Sequence, residues 1–252
     1  MPDLKMAEAA ATKPAQASAD AAVLMVENLQ AWYGESHILH GINFNVNAGE
    51  VVTLLGRNGA GKTTTLKSVM GIIGKRTGSI RFNNEDITRA ASDKIARMGI
   101  AFCPEERGIF ASLDVRENLL LPPIVRAGGL SLDQIFELFP NLKERLNSQG
   151  TKLSGGEQQM LAIARILRTG ARFLMLDEPT EGLAPVIIQQ IGHTIARLKN
   201  EGFTILLVEQ NFRFASTVAD RYYIVEHGKV IDGFANSELQ ANMDKLHTYL
   251  GV

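Results

Sequence analysis

The sequence predicts an α/β protein with a mostly parallel core sheet, helices on both faces of that sheet, an antiparallel β-subdomain near the N-terminus and a helical insertion. Short, nearly continuous apolar runs are typical of strands that are buried on both faces, as in parallel sheets. Enough chain separates each run from the next for a helical crossover. The runs are residues 51–55, 100–103, 173–176, 204–208 and 222–225.

The antiparallel subdomain is predicted from alternation and from one turn. Ile42, Phe44 and Val46 alternate with asparagines, and this period of two is typical of a half-buried strand. Asn83 and Asn84 separate two further apolar segments. Because asparagine tolerates the positive φ of a tight turn, we expect a hairpin at this pair.

The helical insertion is predicted for residues 114–147, which contain no strand-like apolar run. Asp114 and Glu117 have the spacing of a capping box, and Ser131 directly precedes apolar positions at helical spacing. We therefore expect a helical subdomain over about residues 104–160.

Length and composition exclude several other classes of protein. The 252 residues are enough for a sizeable core, and a net charge of −1 lacks the basic excess of most nucleic-acid-binding proteins. We therefore expect no nucleic-acid partner. The apolar runs are too short for a membrane-spanning helix, and the single cysteine, Cys103, excludes an intrachain disulfide.

Residues 1–21 are rich in alanine and polar residues and are expected to form a disordered tail, so the folded domain is assigned to residues 22–252.

A phosphate-binding loop is predicted directly after the strand at residues 51–55. The pattern G-x-x-x-x-G-K-[ST] follows this strand and precedes a helical pattern, which is the context that the motif requires. Its glycines let backbone N–H groups converge on phosphate oxygens at a helix N-terminus. The Lys62 ammonium is expected to reach the β- and γ-phosphates, and the Thr63 hydroxyl to bind Mg²⁺. The predicted phosphate-binding residues are Gly56, Arg57, Asn58, Gly59, Ala60, Gly61, Lys62, Thr63 and Thr64.

Two carboxylates follow the apolar run at residues 173–176. Asp177 is expected to hold the Mg²⁺ shell through water, and Glu178 to orient and polarise the attacking water as the general base. Taken alone, the pair also fits an exposed acidic strand end, but the phosphate loop favours a site for nucleotide hydrolysis. No N-K-x-D segment for reading guanine is present, so a GTPase is not expected.

A second loop-to-helix junction lies at residues 153–159, with the sequence LSGGEQQ. The residues that follow have helical apolar spacing, so backbone donors and the positive end of a helix are available to an anion. LSGGEQQ resembles the signature motif of the ATP-binding cassette (ABC) ATPases, and it stands between the phosphate loop and the acidic strand in the order of that family. The resemblance covers essentially all of residues 22–252 and predicts a P-loop NTPase of the ABC-cassette type.

The resemblance implies that ATP and Mg²⁺ are bound and that two cassettes pair head to tail around the nucleotide. Ser154, Gly155 and Gly156 of one subunit would then contact the γ-phosphate held by the phosphate loop of the other. Tyr33 matches the position of the aromatic residue that stacks on adenine in the family. A plain strand-edge aromatic is the alternative for Tyr33.

Three positions depart from the commonest ABC residues. Glu105 stands where a glutamine near Mg²⁺ is usual, and its carboxylate can still bind the metal. Gln210 stands where a histidine usually contacts the γ-phosphate; its amide donates hydrogen bonds but does not titrate. The sequence EGLAP at residues 181–185 replaces a loop that usually carries an aspartate. Together these departures resemble the ATPase subunits of bacterial branched-chain amino-acid uptake transporters and their urea and short-chain amide relatives.

The resemblance also implies partners and a location. The partners are a second ABC ATPase subunit (a copy of this chain or a related cassette), transmembrane permease subunits and, indirectly, a soluble solute-binding protein. Such a subunit works at the cytoplasmic face of the bacterial inner membrane. A permease helix is expected to dock near residues 105–113, where Phe110 and Leu113 are candidate contacts. Packing of these two side chains within the helical subdomain is the alternative.

Other functions were weighed against solute import. A non-transport ABC switch is disfavoured by the near-neutral charge, the single cassette and the lack of a long coiled-coil insertion. A cassette for another cargo, such as lipopolysaccharide export, is disfavoured by the EGLAP sequence and by VEQN at residues 208–211. Branched-chain amino acids, urea and amides all remain open as cargo, because the binding protein and the permease select it.

Overall fold

The computed structural model describes residues 22–251, so the predicted tail at residues 1–21 lies outside the described residues. The strands are β1 (Ala22–Tyr33), β2 (Ser36–Asn47), β3 (Val51–Leu55), β4 (Lys75–Phe82), β5 (Glu85–Asp86), β6 (Ile100–Cys103), β7 (Phe173–Asp177), β8 (Thr204–Glu209), β9 (Arg221–Glu226) and β10 (Lys229–Ala235). The helices are α1 (Lys62–Val69), α2 (Ser92–Arg97), α3 (Val115–Leu120), α4 (Leu132–Leu138), α5 (Pro140–Glu144), α6 (Gly155–Leu167), α7 (Pro185–Asn200), α8 (Phe212–Val218) and α9 (Met243–Leu250).

The core is a six-stranded sheet in the order β10-β9-β3-β8-β7-β6. The five strands from β9 to β6 pair in parallel, and these are the five strands that the apolar runs predict. The remaining strand, β10, pairs antiparallel with β9 at the edge of the sheet. The predicted α/β class with a mostly parallel sheet is confirmed, whereas β10 had no counterpart in the sequence prediction.

The second sheet is antiparallel and has the order β2-β1-β4-β5. Asn83 and Asn84 join β4 to β5 with φ values of 49° and 64°, as a tight hairpin turn requires. Alternate residues of β2, including Ile42, Phe44 and Val46, are buried. The predicted antiparallel subdomain and its hairpin are therefore present in the fold.

Both faces of the six-stranded sheet are covered. All residues of β3, β7 and β8 are buried, which explains why these strands are nearly uniformly apolar. On one face Leu174 and Leu207 pack in a cluster with side chains of α6 and α7. On the other face Leu54 and Met175 pack with α1 and with the antiparallel sheet. Two hydrophobic layers thus fix the parallel strands and the loops at their ends.

The segment between β6 and α6 carries three short helices, α3, α4 and α5. The Asp114 side chain accepts a hydrogen bond from the Glu117 N–H (2.7 Å), and the Glu117 carboxylate accepts one from the Asp114 N–H (2.9 Å). This predicted capping box begins α3, and Ser131 begins α4 in the same way. Leu119 and Ile135 of these helices share a hydrophobic cluster with α6 and α7, so the insertion packs beside the core. Within residues 22–251, no helix is both long and apolar enough to cross a membrane.

Candidate functional site

A cavity of about 390 Å³ lies where β3, β6 and β7 end. The carboxyl ends of parallel strands meet at one edge of a sheet, so the loops that follow these strands share this space. The lining residues are Tyr33, Ile38, Asn58, Gly59, Gly61, Lys62, Thr63, Thr64, Glu105, Glu178 and Glu181. Six of the nine predicted phosphate-loop residues therefore surround one cavity together with two of the three predicted acidic groups, Glu105 and Glu178, whereas Asp177 does not line it.

The loop from β3 to α1 has the backbone of a phosphate-binding loop. Gly61 has a φ of 106° at the start of α1, in the left-handed region that favours glycine. A Cβ at Gly56 would lie 2.4 Å from the Val225 carbonyl oxygen, so this position also requires glycine. The first-turn N–H groups of α1 have no partners within the helix. They are therefore available to phosphate oxygens that enter the cavity.

Lys62 is the buried cation of the site, with 4% of its surface exposed. Its ammonium donates hydrogen bonds to the Gly56 carbonyl (2.8 Å) and the Arg57 carbonyl (3.1 Å). It also forms an ion pair with Glu178, with 3.0 Å between Nζ and Oε1. The two carbonyls fix the ammonium at the loop, while the carboxylate supplies the negative charge that a buried cation needs.

Asp177 and Thr63 form the part of the site that fits a metal ion. The Thr63 hydroxyl donates a hydrogen bond to Asp177 Oδ1 (3.0 Å), whereas the buried Oδ2 of Asp177 has no partner among the described residues. Burial raises the pKa of Asp177 to about 6, and the nearby carboxylates of Glu178 and Glu105 add to this shift. An unpartnered buried carboxylate oxygen beside a hydroxyl is a donor set that suits a hard cation such as Mg²⁺.

The described residues contain no group of three or more His, Cys, Asp or Glu side chains arranged to hold a metal ion by themselves. Mg²⁺ is usually bound by one or two carboxylates together with waters and substrate phosphates. The Thr63–Asp177 pair therefore fits an ion that arrives with a nucleotide.

Glu178 has a strained backbone, with a φ of 45°. This left-handed region is unfavourable for a residue with a side chain and costs about 1–3 kcal/mol. The Glu178 N–H donates a hydrogen bond to the Val208 carbonyl of the neighbouring strand (2.9 Å), which fixes the turn directly after β7. The strained turn directs the Glu178 carboxylate into the cavity.

Glu181 is a cavity residue to which the sequence analysis gave no role. Partial desolvation at the cavity and the nearby carboxylates of Glu178 and Glu105 raise the pKa of this exposed glutamate. Glu105 follows β6 and Glu181 follows β7, and these two strands are neighbours in the sheet. Strand order was the missing information, because the EGLAP sequence by itself does not place Glu181 beside Glu105.

Glu209 at the end of β8 is a second acidic group that the sequence analysis did not identify. Its carboxylate is 2% exposed and accepts hydrogen bonds from the Thr180 hydroxyl (2.8 Å) and the Asn211 N–H (3.2 Å). Burial raises the pKa of Glu209 to about 7. The next residue, Gln210, is exposed and does not line the cavity.

Of the remaining predicted site residues, one lines the cavity and the others lie outside it. Tyr33 lines the cavity and is 47% exposed, as a platform for a flat ligand would be. Ser154 begins α6 through a capping box with Glu157. Neither Ser154 nor the two glycines that follow it lines the cavity. The Arg57 side chain also points elsewhere, since its Nε donates a hydrogen bond to the Tyr249 carbonyl (3.1 Å).

The fold and the cavity define a nucleotide-binding protein of the P-loop class, with a buried lysine and a Thr–Asp pair at the phosphate loop. Comparison with known families matches residues 39–181 to the ABC transporter family. The chain belongs to this family, whose members bind and hydrolyse ATP, and it is an ATPase.

Individual relatives and a solved structure agree with this assignment. The high-affinity branched-chain amino acid transport ATP-binding protein BraG of Pseudomonas aeruginosa is 41% identical over 232 residues, covering 91% of this chain and 100% of that protein. The lipopolysaccharide export system ATP-binding protein LptB of Escherichia coli is 35% identical over 236 residues, covering 91% and 98%. The crystal structure of a nucleotide-free ATP-binding cassette from an ABC transporter has a TM-score of 0.79 at 25% identity, covering 92% of this chain and 99% of that one.

Proposed function

We propose that this chain is the ATP-hydrolysing subunit of a bacterial ABC importer for branched-chain amino acids. The observation that carries the catalytic part is the grouping of Lys62, Thr63 and Glu178 around one cavity, with Asp177 hydrogen-bonded to Thr63 behind it. The similarity to BraG supports the type of cargo. The EGLAP and VEQN sequences support the same subfamily.

Lys62 and Thr63 are the proposed ligands of the substrate's phosphates and metal. The Lys62 ammonium contacts the β- and γ-phosphates, and in doing so exchanges the Glu178 carboxylate for phosphate oxygens. Thr63 and Asp177 hold Mg²⁺, to which Glu105 contributes from the loop after β6. When bound, Mg²⁺ neutralises charge that develops on the phosphate oxygens. The backbone of residues 56–61 and the start of α1, including Thr64, enclose the same phosphates.

Glu178 is the proposed general base. Its carboxylate is bound to Lys62 in this structure, and binding of the phosphates to Lys62 would release it. The freed carboxylate lies on the strained turn after β7, where it orients water and accepts its proton. Gln210, directly after β8, donates a hydrogen bond to the γ-phosphate once the cassettes are paired.

Tyr33 and residues of a second cassette complete the proposed nucleotide site. Tyr33 stacks on the adenine ring at the rim of the cavity. Ser154, Gly155 and Gly156 lie outside the cavity of their own chain and serve the nucleotide of a second cassette, head to tail. ATP that bridges two such surfaces stabilises the dimer, and hydrolysis weakens it. We assign this function to the domain at residues 22–252.

An apolar surface on the helical insertion is the proposed docking site for the permease. Phe110 is 47% exposed and Ile124 is 71% exposed, and Leu120 and Leu121 are exposed between them in sequence. Leu120, Leu121 and Ile124 lie close together in sequence, and clusters of exposed apolar groups are candidate interaction sites. Docking there places the subunit at the cytoplasmic face of the inner membrane, with a solute-binding protein on the opposite side and no nucleic acid involved.

The catalytic proposal is tested by Glu178→Gln, with Glu106→Gln, an exposed glutamate on the loop after β6, as the control. Loss of a general base is expected to slow phosphate release at least about 100-fold while ATP still drives dimerisation in gel filtration. The control is expected to behave as the wild type. Normal phosphate release by Glu178→Gln would show that Glu178 is not the base. An inactive, monomeric wild type would show that a companion cassette is needed.

The cargo is tested by reconstitution of this chain with its permease and its solute-binding protein. We expect leucine-loaded binding protein to stimulate phosphate release, and urea or a short-chain amide to have no effect. Lipopolysaccharide is the competing cargo, because LptB is also a relative at 35% identity. Stimulation by lipopolysaccharide in place of leucine would overturn the importer assignment.

A further inference from the structure

The side chain of Arg57 connects the phosphate loop to the C-terminal helix. Its Nε donates a hydrogen bond to the carbonyl of Tyr249 in the last turn of α9 (3.1 Å). A Cβ added at Gly251 would lie 2.3 Å from a guanidinium nitrogen of Arg57. The guanidinium is therefore in contact with the end of α9, although Arg57 belongs to the phosphate-binding motif.

The chemistry of this contact is favourable. The last carbonyls of a helix have no partners within it and carry the negative end of the helix dipole. Gly251 ends α9 in the left-handed conformation, with a φ of 72°, and turns the chain away from these carbonyls. An arginine at this position satisfies a free carbonyl and complements the dipole.

The helix that accepts Arg57 is itself fixed to the strand before the loop. Leu246 and Leu250 of α9 are buried in a cluster with Leu55 and Tyr222. Leu55 is the last residue of β3, and the next residue, Gly56, is packed against the Val225 carbonyl. Three consecutive residues at the start of the phosphate loop therefore touch the C-terminal part of the chain.

We propose that α9 is a positioning element of the nucleotide site and acts through Arg57, whose guanidinium holds the phosphate loop in its binding conformation. Arg57 is a positioning residue in this assignment, because its guanidinium contacts α9 and does not line the cavity. The inference rests on ATP binding at the loop, and it holds for any cargo and any partner cassette.

The test displaces Arg57 by a substitution at the end of α9, so that Arg57 itself is unchanged. It uses the full-length chain. Gly251→Ala places a methyl group where the Arg57 guanidinium lies and leaves every cavity residue unchanged. Gly202→Ala is the matched control. Gly202 also follows a helix and also has a positive φ (83°), but a Cβ at Gly202 would meet no atom within 4 Å. Backbone strain is thus common to both variants, whereas displacement of Arg57 is specific to Gly251→Ala.

Two measurements report on the loop. We expect Gly251→Ala and Arg57→Ala to speed amide hydrogen exchange at residues 56–61 and to weaken binding of a fluorescent ATP analogue about three- to ten-fold, the value of one ordinary hydrogen bond. Arg57→Lys keeps one donor and is expected to restore part of the affinity. Gly202→Ala is expected to match the wild type in both measurements.

Several results would overturn the inference. Unchanged affinity and exchange in Gly251→Ala would show that the contact does not position the loop. Tighter ATP binding in Gly251→Ala would show that a released Arg57 is a phosphate ligand. Equal effects of the two glycine variants would assign the change to strain alone. If the wild type bound no ATP, the proposed function itself would fail, a result distinct from these three.

Discussion

The Lys62 ammonium and the Glu178 carboxylate form a buried ion pair, with 3.0 Å between Nζ and Oε1. The proposed phosphate-binding cation and the proposed base thus neutralise each other in this structure. Both side chains are nearly inaccessible to water, so each charge depends on the other. In the proposed function, ATP phosphates exchange with Glu178 at the ammonium, and this exchange would couple substrate binding to release of the base.

Removing one partner of this pair is expected to destabilise the nucleotide-free protein. Lys62→Met leaves the Glu178 carboxylate buried and unpaired, which costs about 3–5 kcal/mol of the free energy of unfolding. Glu178→Gln in the same chain is expected to recover about 0.5–3 kcal/mol. Urea unfolding of both single variants and the double variant measures this coupling. Strictly additive effects would show that the two side chains do not depend on each other.

Tyr33 is expected to contribute to ATP affinity without contributing to the fold. Tyr33→Ala removes the proposed adenine platform and is expected to cost about 1–3 kcal/mol of binding free energy, by analogy with base stacking on aromatic side chains. Tyr33→Phe keeps the ring and is expected to bind ATP as the wild type does. Calorimetric titration with ATP measures both variants. Unchanged affinity in Tyr33→Ala would support the alternative, a plain strand-edge aromatic.

Glu209 is expected to make stability depend on pH. Burial raises its pKa from 4.5 to about 7, so between these values the folded state holds a proton that the unfolded chain has lost. Stability therefore decreases as pH rises from about 4.5 to about 7, by up to about 3 kcal/mol from this group. Urea unfolding at pH 5 and pH 8, without nucleotide, measures the change.

The variant Glu209→Gln separates this group from the other titrating residues. It removes the titration, so the difference in stability between pH 5 and pH 8 is expected to shrink. Glu106→Gln, an exposed glutamate on another loop, is expected to keep the wild-type difference. An unaltered pH difference in Glu209→Gln would assign the dependence to another carboxylate.

Phe110 is expected to act in docking more than in folding. Its half-exposed ring lies under the Arg165 guanidinium, 5.0 Å away, so Phe110→Ala is expected to cost only about 0.5–1 kcal/mol of stability. Basal phosphate release is expected to persist, whereas stimulation by the permease is lost. Ser112→Ala on the same loop is the control and should keep the stimulation. An unfolded Phe110→Ala protein would support the packing alternative.

The elements that the sequence predicted are those with a local signal. Apolar runs, the Asn83–Asn84 turn and the capping box at Asp114 each follow from neighbouring residues, and all appear in the structure. The phosphate loop was predicted because its glycines, Lys62 and the preceding strand are contiguous. The meeting of Lys62 with Glu178 was not derivable in this way, because it depends on which strands are neighbours in the sheet.

Residues missed by the sequence analysis depend on packing between distant segments. Glu181 reaches the cavity because β6 lies beside β7, and the pKa of Glu209 is raised because the folded chain buries this carboxylate at the end of β8. Arg57 was predicted to bind phosphate from its place in the motif, yet its side chain contacts the last turn of α9. No pattern within the loop predicts a contact with Tyr249, which lies 192 residues further along the chain.

The left-handed backbone at Glu178 lowers the stability of the fold, whereas the Glu178 carboxylate supplies an ion pair and the proposed base. Glycine there would relieve about 1 kcal/mol of backbone strain, yet it would remove the carboxylate and leave the buried Lys62 ammonium without its ion-pair partner. Glutamine, in contrast, retains the strained φ and removes only the charge. Residue 178 therefore combines a backbone that suits glycine with a side chain that glycine lacks, and the strain is the cost of placing a carboxylate beside Lys62.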